Sequence, residues 1–323
     1  MYYQELLIFS DILIHSLKDK EGRIFIQTHN FPDPDAVAAA FGLKELLNAK
    51  GINAGIIYDG ELQRHALIQM IAHLNIPIHH WKHYELTNSD RIIIVDGCKG
   101  NANVEDLIGK EIAVIDHHKS LTTDDVKMID IRPEYGSCST MICEYYQEQE
   151  VIPTAAVASA LYIGLARDTD LFTRGMTEMD LAALTYLFPY SDKGLVNNIL
   201  RNNIQLTDLD YYRKLLTNLV VSKGMAFCYL PDGCPKNLMG ILGDFILSLQ
   251  EIHFVCLFAC NNDQISLSFR NNWDDKDASV IMKAFTAGKG RGGGHKQMAG
   301  GILDSDIPAD PESWFASLKD LIN

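Results

Sequence analysis

Three short apolar runs mark the first part of the chain as a buried parallel sheet. They are residues 23–29 (RIFIQTH), 91–97 (RIIIVDG) and 111–118 (EIAVIDHH). Continuous apolar runs rich in β-branched residues are typical of strands that are covered on both faces. Residues 52–60 (INAGIIYDG) predict a further strand. Each of the three runs reaches an Asp or a His at its carboxyl end, which places polar chemistry at one edge of the predicted sheet.

Helical patterns separate these strands. In residues 36–51, small and apolar residues recur on one helical face and Gly51 provides a C-terminal stop. Residues 154–170 are rich in Ala and Leu, and residues 1–20 have the pattern of an amphipathic first helix. Strands that alternate with helices predict an α/β fold with a doubly wound, mainly parallel sheet.

The pattern changes after Tyr190, where an Asn-rich segment predicts an exposed connection and a helix resumes near Leu209. Strands are predicted at 224–231, 253–260 and 264–270, followed by a helix at 278–286 and a glycine-dense loop. We therefore expect a first domain over residues 1–190, a linker with a connecting helix over 191–218, and a smaller α/β domain over 219–323.

Composition narrows the class of protein. A chain of 323 residues is long enough for two cores. Its 42 acidic and 28 basic side chains give a net charge of -14, which disfavours long duplex nucleic acid as a partner. The seven cysteines form no CxxC pair, and neither a basic leader nor an apolar run of about 18 residues is found. These features predict a cytoplasmic protein that does not cross a membrane.

The segment after the first strand, THNFPDPDA, carries His29, Asp33 and Asp35. Asp33 can cap the next helix, with Pro34 in its first turn. Capping explains one aspartate, but it explains neither the histidine nor the spacing between the prolines. Taken alone, the segment leaves capping and metal binding open.

The other strand ends favour a metal centre. Asp96 closes the second run, and Asp116, His117 and His118 close the third. Residues beyond the carboxyl ends of neighbouring parallel strands converge on one crevice, and Asp168 from ARDTD would join them. Carboxylates that close repel one another, so either their pKa values rise or cations bind between them. Oxygen ligands combined with imidazole suit Mn²⁺ or Mg²⁺.

The motifs HNFPDPDA, VDG, IDHH and ARDTD, in this order, resemble the four motifs of the DHH phosphoesterase superfamily. The later segment GRGGGHKQMAGG resembles the glycine-rich signature of the DHHA1 domain. The combination is similar to the RecJ-like branch, which includes nanoRNase/pAp phosphatases and exopolyphosphatase-related proteins. Together the two resemblances cover nearly the whole chain.

The resemblance implies a role for each motif residue. It implies two divalent metal ions, one held by His29, Asp33 and Asp96 and the other by Asp35, Asp96, His117 and Asp168. His118 would lie over the substrate phosphate or protonate the leaving oxygen, and Asp116 would orient the histidines. Mn²⁺ is the expected metal, with Mg²⁺ as the alternative.

Two positions depart from the family pattern. Ala38 and Ala39 stand where the family usually carries Gly and Ser, a change that concerns packing more than ligation. Asp170 stands where the fourth motif often has glycine. An extra carboxylate near the metals puts the substrate specificity in doubt, but not the class of enzyme.

Half of the residues between Gly288 and Gly301 are glycine. A mobile surface loop and a phosphate-binding segment are both consistent with this composition. The resemblance favours substrate binding, and it implies contacts from Arg291, Gly292, Gly293, Gly294 and His295. Arg270, at the end of the strand 264–270, is expected with His295 at the far phosphate or base of the substrate.

Two further segments predict local structure. Residues 132–140 (RPEYGSCST) predict a helix cap, with a place beside the substrate as the alternative. The histidine-rich residues 79–83 (HHWKH) predict a solvated turn.

Three functions follow for comparison. The first is a Mn²⁺-dependent phosphoesterase that hydrolyses short nucleotides: very short RNA, linear or cyclic dinucleotides, or adenosine 3′,5′-bisphosphate. The second is a pyrophosphatase or exopolyphosphatase, against which the glycine-rich segment argues. The third is a non-catalytic nucleotide-binding protein, against which the complete ligand set argues. A homodimer is left open.

Overall fold

The structure is a computed structural model that describes residues 8–18, 21–62, 65–101, 103–119, 125–201, 204–262, 264–305 and 307–322. The chain forms two compact units, Met1–Asn203 and Ile204–Asn323. The helix at Lys193–Arg201 packs on the helix at Ala155–Asp168 and therefore belongs to the first unit. None of the described helices has the length and apolar character needed to span a bilayer.

Within the described residues, the first unit contains one six-stranded sheet in which every strand pair is parallel. Its order is β3-β2-β1-β4-β5-β6. The α/β class predicted from the apolar runs is confirmed. The strands are β1 (Ile24–Gln27), β2 (Ala54–Tyr58), β3 (Ile78–His80), β4 (Arg91–Val95), β5 (Lys110–Asp116) and β6 (Met128–Ile131).

Helices cover one face of this sheet. Pro34–Ala49 is nearly all buried because its small Ala and Gly residues let neighbouring helices approach closely. The helices of the described part are α1 (Phe9–Leu17), α2 (Pro34–Ala49), α3 (His65–Leu74), α4 (Cys138–Glu148), α5 (Ala155–Asp168), α6 (Glu178–Leu187) and α7 (Lys193–Arg201).

The opposite face of the sheet is covered by segments that follow β3 and β4. Apolar side chains from residues 81–86 and 98–107 pack there on Phe25, Ile92 and Ile94. The chain leaves β1 toward the helical face and leaves β4 toward this second face. Since β1 and β4 are neighbours, the two connections diverge and open a crevice at the carboxyl ends of these strands.

The second unit contains a mixed sheet of order β11-β12-β10-β9-β8-β7 in the described residues, and only its β8 and β9 run parallel. One face packs on α10 and α11, the other on α8 and α9. The elements are α8 (Leu209–Asn218), β7 (Val220–Ser222), β8 (Met225–Leu230), α9 (Lys236–Leu247), β9 (Phe254–Asn261), β10 (Gln264–Asn271), α10 (Ala278–Thr286), β11 (Gly290–Gly294), β12 (Met298–Leu303) and α11 (Pro311–Ile322).

One local prediction is wrong, and a second, the solvated turn at 79–83, holds only for residues 81–83. The glycine-dense segment is an antiparallel hairpin of β11 and β12 rather than a loop. A Cβ atom at Gly292 would lie 2.5 Å from Cγ of Met282, and one at Gly301 would lie 2.7 Å from its Sδ. These glycines therefore let the hairpin press against α10. His79 and His80 lie in β3, where pairing with β2 overrides their polar character, and a 3-10 turn follows at Trp81–His83.

Candidate metal centre

The first motif places two carboxylates at helix N-termini. Oδ1 of Asp33 caps α2 by accepting hydrogen bonds from the amides of Asp35 (2.9 Å) and Ala36 (3.1 Å). Asp35, only 1% exposed, accepts from the amides of Cys138 (2.7 Å) and Ser139 (3.0 Å) at the start of α4. The capping role predicted for Asp33 is present. It does not exclude ligation, because a carboxylate has more lone pairs than these bonds occupy.

Asp96 lies at the centre of the site. It follows β4 with a backbone φ of +58°, a left-handed conformation that Asp adopts more readily than most residues. Its side chain is 3% exposed, with Oδ2 3.7 Å from Nε2 of His29 and Oδ1 3.4 Å from Nε2 of His117. One buried carboxylate thus faces imidazoles from two different strand ends.

Backbone carbonyls orient both imidazoles. Nδ1 of His29 lies 2.9 Å from the carbonyl oxygen of Asn30, and Nδ1 of His117 lies 3.2 Å from that of Tyr135. A carbonyl can only accept, so each Nδ1 carries a proton, and each Nε2 is the ring atom that would face a bound cation. On the other side of the site, Nε2 of His117 is 3.0 Å from Oδ2 of Asp168.

The predicted ligands form three groups of donor atoms. Within each group, all the donor atoms lie within 4.8 Å of one another. Asp96 and His117 each belong to two groups. The groups are His29 with Asp33 and Asp96, Asp35 with His117 and Asp168, and Asp96 with His117 and His118. Residues up to 139 positions apart in the chain therefore converge on one crevice.

Two buried atoms show that this cluster fits a cation. Oδ1 of Asp96 and Nε2 of His117 have no hydrogen-bond partner among the residues that the structure describes. Nε2 of His117 lies 3.4 Å from Oδ1 of Asp96 and 3.0 Å from Oδ2 of Asp168, but neither contact has the alignment of a hydrogen bond. Buried polar atoms are normally satisfied, so a shared cation is the partner that this geometry accommodates.

The electrostatics of the cluster agree with this reading. Burial, with repulsion from Asp35, raises the pKa of Asp96 well above its usual range. Burial, with repulsion from Asp168, raises the pKa of Asp35 to about 7. Burial opposes the charged form of His117, yet the contacts with Asp168 and Asp96 raise its pKa to about 11. Without a cation the folded protein retains protons here, and a divalent ion would replace them.

Asp116 and His118 form a pair beside the cluster. Oδ1 of the fully buried Asp116 accepts from Nδ1 of His118 (2.9 Å) and from the backbone amide of the same residue (3.1 Å). The side chain of His118 is 41% exposed, with Nδ1 3.7 Å from Oδ1 of Asp96. Asp116 thus orients His118, while the carbonyl of Tyr135 orients His117.

Sequence reasoning missed the supports of the Tyr135 loop. The amide of Gly136 donates to both oxygens of Asp180 (3.1 and 3.0 Å), and the hydroxyl of Thr140 donates to Oδ1 of the same carboxylate (2.5 Å). The sequence does contain the capping box of Thr177 and Asp180. A capping box predicts only where a helix starts, here α6, and not the contact of Asp180 with the Tyr135 loop. In residues 132–140 the predicted cap is also present, since the amide of Thr140 donates to Oγ of Ser137.

The predicted substrate residues of the second unit lie on two strands. Arg270 is on β10, where Nε donates to Oδ1 of Asp244 (2.6 Å) and the guanidinium covers Gly240 of α9. The remaining predicted residues occupy β11 and its turn, on the far side of β12: Arg291, Gly292, Gly293, Gly294 and His295. A Cβ atom added at Gly293 would meet no described atom within 4 Å. A Cβ at any of the other glycines of β11 would instead lie within 3 Å of a neighbouring atom.

Comparison with known proteins identifies the two domains. The model of the DHH family N-terminal domain matches residues 23–165, and that of the DHHA1 domain matches residues 222–322. The chain therefore contains a DHH domain and a DHHA1 domain. The DHHA1 domain follows the DHH domain along the chain, as the motifs predicted.

Two curated relatives match most of this DHH protein. An uncharacterized protein of Methanocaldococcus jannaschii is 30% identical over 288 residues, 87% of this chain and 58% of that protein. The cyclic-di-AMP phosphodiesterase GdpP of Bacillus subtilis is 24% identical over 310 residues, 88% of this chain and 46% of that protein. The chain therefore spans about half the length of the curated relatives it matches.

A solved structure shares the fold. The crystal structure of an exopolyphosphatase-related protein from Bacteroides fragilis matches with a TM-score of 0.80 and 19% identity. The match covers 97% of this chain and 95% of that one. At this identity the likeness supports the fold of the DHH protein, and the site must be argued from its own residues.

The backbone conformation at position 170 accounts for the glycine that the family pattern often has there. Asp170, Leu171 and Phe172 have φ values of +48°, +55° and +68°. Glycine adopts this left-handed backbone without strain, and Asp is among the better alternatives. The side chain of Asp170 is 57% exposed and lies 3.8 Å from Arg174. Among the described residues it joins none of the donor groups.

Proposed function

We propose that this DHH protein is a Mn²⁺-dependent phosphoesterase that hydrolyses short nucleotides: very short RNA, dinucleotides, adenosine 3′,5′-bisphosphate or the products of cyclic dinucleotides. The observation that carries the proposal is Asp96, a buried carboxylate that faces His29 on one side and His117 on the other. Such an arrangement suits two cations that share one carboxylate.

The donor groups support the two ligand sets that the resemblance implies, with Asp96 reaching the second set through its group with His117. His29, Asp33 and Asp96 would hold one ion, and Asp35, Asp96, His117 and Asp168 would hold the other. Two divalent ions held in this way would lower the pKa of a water molecule and offset the charge of a phosphate. A ligand set that mixes imidazole with carboxylate suits Mn²⁺, with Mg²⁺ as the alternative.

His118 is the residue proposed to act on the substrate directly. Its imidazole is partly exposed beside the donor groups, and its Nδ1 is held by Asp116. With Nδ1 donating to Asp116, the ring is fixed in orientation, and in its imidazolium form Nε2 can donate to a phosphate oxygen or pass its proton to the leaving oxygen. Asp116 keeps the ring in place and does not itself need to contact the substrate.

Charge and domain content support a short nucleotide substrate. A net charge of -14 disfavours long polyanions, whereas a small phosphorylated molecule can enter a crevice whose cations reverse the local charge. The match to DHHA1 supports nucleotides over pyrophosphate, and the relative GdpP is named for a nucleotide phosphodiester substrate. The seven cysteines all carry free thiols, which supports a reducing compartment such as the cytoplasm.

Release of mononucleotides from a dinucleotide tests the proposal. The purified chain should release them with added Mn²⁺, faster than it releases phosphate from pyrophosphate, and a chelator should stop the reaction. Asp96→Asn should abolish turnover and reduce the number of Mn²⁺ ions bound, measured by electron paramagnetic resonance. Asp232→Asn makes the same chemical change at a carboxylate that is 69% exposed and pairs with Lys214, so it should leave both properties unchanged.

Three results would contradict the proposal. Full activity in chelator would exclude the metal centre, and normal turnover by Asp96→Asn would exclude the shared carboxylate. Tight nucleotide binding without turnover at saturating Mn²⁺ would favour a non-catalytic nucleotide-binding protein.

A further inference from the structure

We propose that Phe31 is a stacking platform for a nucleobase of the substrate. This inference rests on the proposed function and narrows it to substrates that carry a base, which excludes pyrophosphate and polyphosphate. Phe31 lies between His29 and Asp33 in the chain, but it has no place in the ligand sets. Its conformation, exposure and surroundings require a separate explanation.

The backbone of Phe31 is held in an unusual conformation. Its φ of +55° lies in the left-handed region, where bulky residues are rare. Hydrogen bonds on both sides hold it there: the amide of Phe31 donates to the carbonyl of Asp59 (2.9 Å), and that of Asn30 donates to the carbonyl of Asn103 (2.6 Å). The side chain of Asn30 accepts in turn from the amide of Glu105 (3.1 Å). The neighbouring segments therefore impose the direction in which the ring projects.

The ring of Phe31 lies flat on a glycine. A Cβ atom built on Gly60 would be only 2.8–2.9 Å from three atoms of the ring, and the φ of Gly60 is +81°. Any side chain at position 60 would displace the ring. Phe31 is nevertheless 54% exposed, so burial in the core does not account for its position. One side of the ring is supported while much of the rest faces solvent.

The support under the ring is fixed by polar contacts. Nε1 of Trp81 donates to Oδ1 of Asp59 (2.8 Å), and Nε2 of His80 lies 3.3 Å from the same oxygen. Asp59 follows β2, the neighbour of β1, while His80 ends β3 and Trp81 follows it at the next position of the sheet. The Asp59–Gly60 turn therefore extends the edge of the sheet on which the metal centre lies, and Phe31 rests on it.

The position of Phe31 near the donor groups indicates which kind of molecule could contact both. A molecule that uses both features must carry a phosphate for the donor groups and a planar ring close to it, since Phe31 is two residues from both His29 and Asp33 in the chain. Nucleobases stack on aromatic side chains with little dependence on sequence. A nucleotide satisfies both requirements, whereas inorganic phosphates have no ring to place on Phe31. Single exposed apolar residues are common, but Phe31 combines support under its ring, an imposed backbone conformation and a position between two proposed ligands.

Equilibrium binding separates the role of the base from that of the phosphate. The ligands are a methylene-bridged dinucleotide that cannot be hydrolysed and two analogues that each lack one of its bases, titrated by calorimetry in Mn²⁺. Phe31→Ala should weaken binding of the intact dinucleotide by roughly 5- to 150-fold. For one of the two analogues it should have no effect, because the base that stacks is already missing. Phe31→Trp should restore affinity for the intact ligand.

Phe188→Ala is the matched control. Phe188 is also aromatic and 50% exposed, but it caps the far end of α6, and its removal should leave all three affinities unchanged. Equal losses for all three ligands in Phe31→Ala would overturn the proposal, because Phe31 would then only support the ligand loop. Unchanged affinity for the intact dinucleotide would also overturn it.

The two proposals fail differently. If the wild-type protein hydrolyses dinucleotides and Phe31→Ala binds them normally, the stacking proposal fails and the proposed function stands. If the base-dependent loss is seen but no substrate is hydrolysed, the proposed function fails and the stacking result stands.

Discussion

Gly164→Ala is the most informative single change at this site. Gly164 lies on α5 where that helix passes α2 and the start of α4. An added Cβ would be 2.3 Å from Oγ of Ser139, and 2.9 Å from both Cβ of Ala38 and Oδ1 of Asp35. The Ser139 hydroxyl can rotate, but Cβ of Ala38 is fixed to the backbone and Asp35 is held by two amides. The helices must therefore shift, and Asp35 must shift with them.

The magnitude follows from opposing contributions. Replacing a helical Gly by Ala stabilises the helix by about 1 kcal/mol. Overpacking of a buried contact costs about 1–3 kcal/mol. The free energy of unfolding should therefore fall by only about 0–2 kcal/mol. Displacement of a catalytic group by about 1 Å can lower the rate about 100-fold. Turnover should therefore fall by about this factor while the protein remains folded.

Gly42→Ala is the matched control in the same helical layer. Its Cβ would lie 2.9 Å from Cγ2 of Ile142 and 3.0 Å from Cδ2 of Leu161, which are apolar side-chain atoms outside the donor groups. It should change stability to a similar extent and leave Mn²⁺ affinity and turnover near wild type. The assay is thermal unfolding in chelator, followed by Mn²⁺ titration and dinucleotide turnover on the same preparations.

Two outcomes would refute the reasoning. Normal Mn²⁺ affinity and turnover in Gly164→Ala would mean that Asp35 does not depend on this contact. An equal loss of activity in Gly42→Ala would mean that the whole helical layer, rather than Asp35, determines the result.

Three further predictions concern the ligands and their supports. In chelator, Asp96→Asn should raise the melting temperature, because it removes a buried carboxylate whose pKa is raised by burial and by repulsion from Asp35; a lower value would contradict this. Asp180→Ala should weaken Mn²⁺ affinity by about 10- to 100-fold, because the Tyr135 loop that orients His117 loses its anchor; Asp232→Asn is again the control. The metal-free protein should lose stability as pH rises from about 4 to 7, because the folded pKa of Asp35 is about 7 against 3.8 unfolded. The raised pKa of His117 acts in the same direction above 6.5, so thermal unfolding in chelator should show a falling melting temperature, and a rising one would contradict the assignment.

Local sequence patterns were sufficient for the elements that carry the site. The β-branched runs predicted β1, β2, β4 and β5, because burial on both faces requires continuous apolar residues. The predicted helix at 278–286 is α10, with the same bounds. The motif residues were predicted to converge because parallel strands end at a common edge. The short β3 and β6 and the hairpin β11–β12 were not predicted as strands, since their composition carries no strand signal of its own.

The sequence by itself determined which side chains carry the chemistry and which edge of the sheet presents them. Tertiary structure alone decided how they are held. The hydrogen bonds that backbone amides of α4 donate to Asp35 join residues more than 100 positions apart, and the Tyr135 carbonyl reaches His117 only because Asp180 anchors its loop. Local periodicity reports whether a residue is buried, but not which distant group it meets. The partners of Asp35, the contact at Gly164 and the support under Phe31 depend on close packing between separate segments, which no local pattern records.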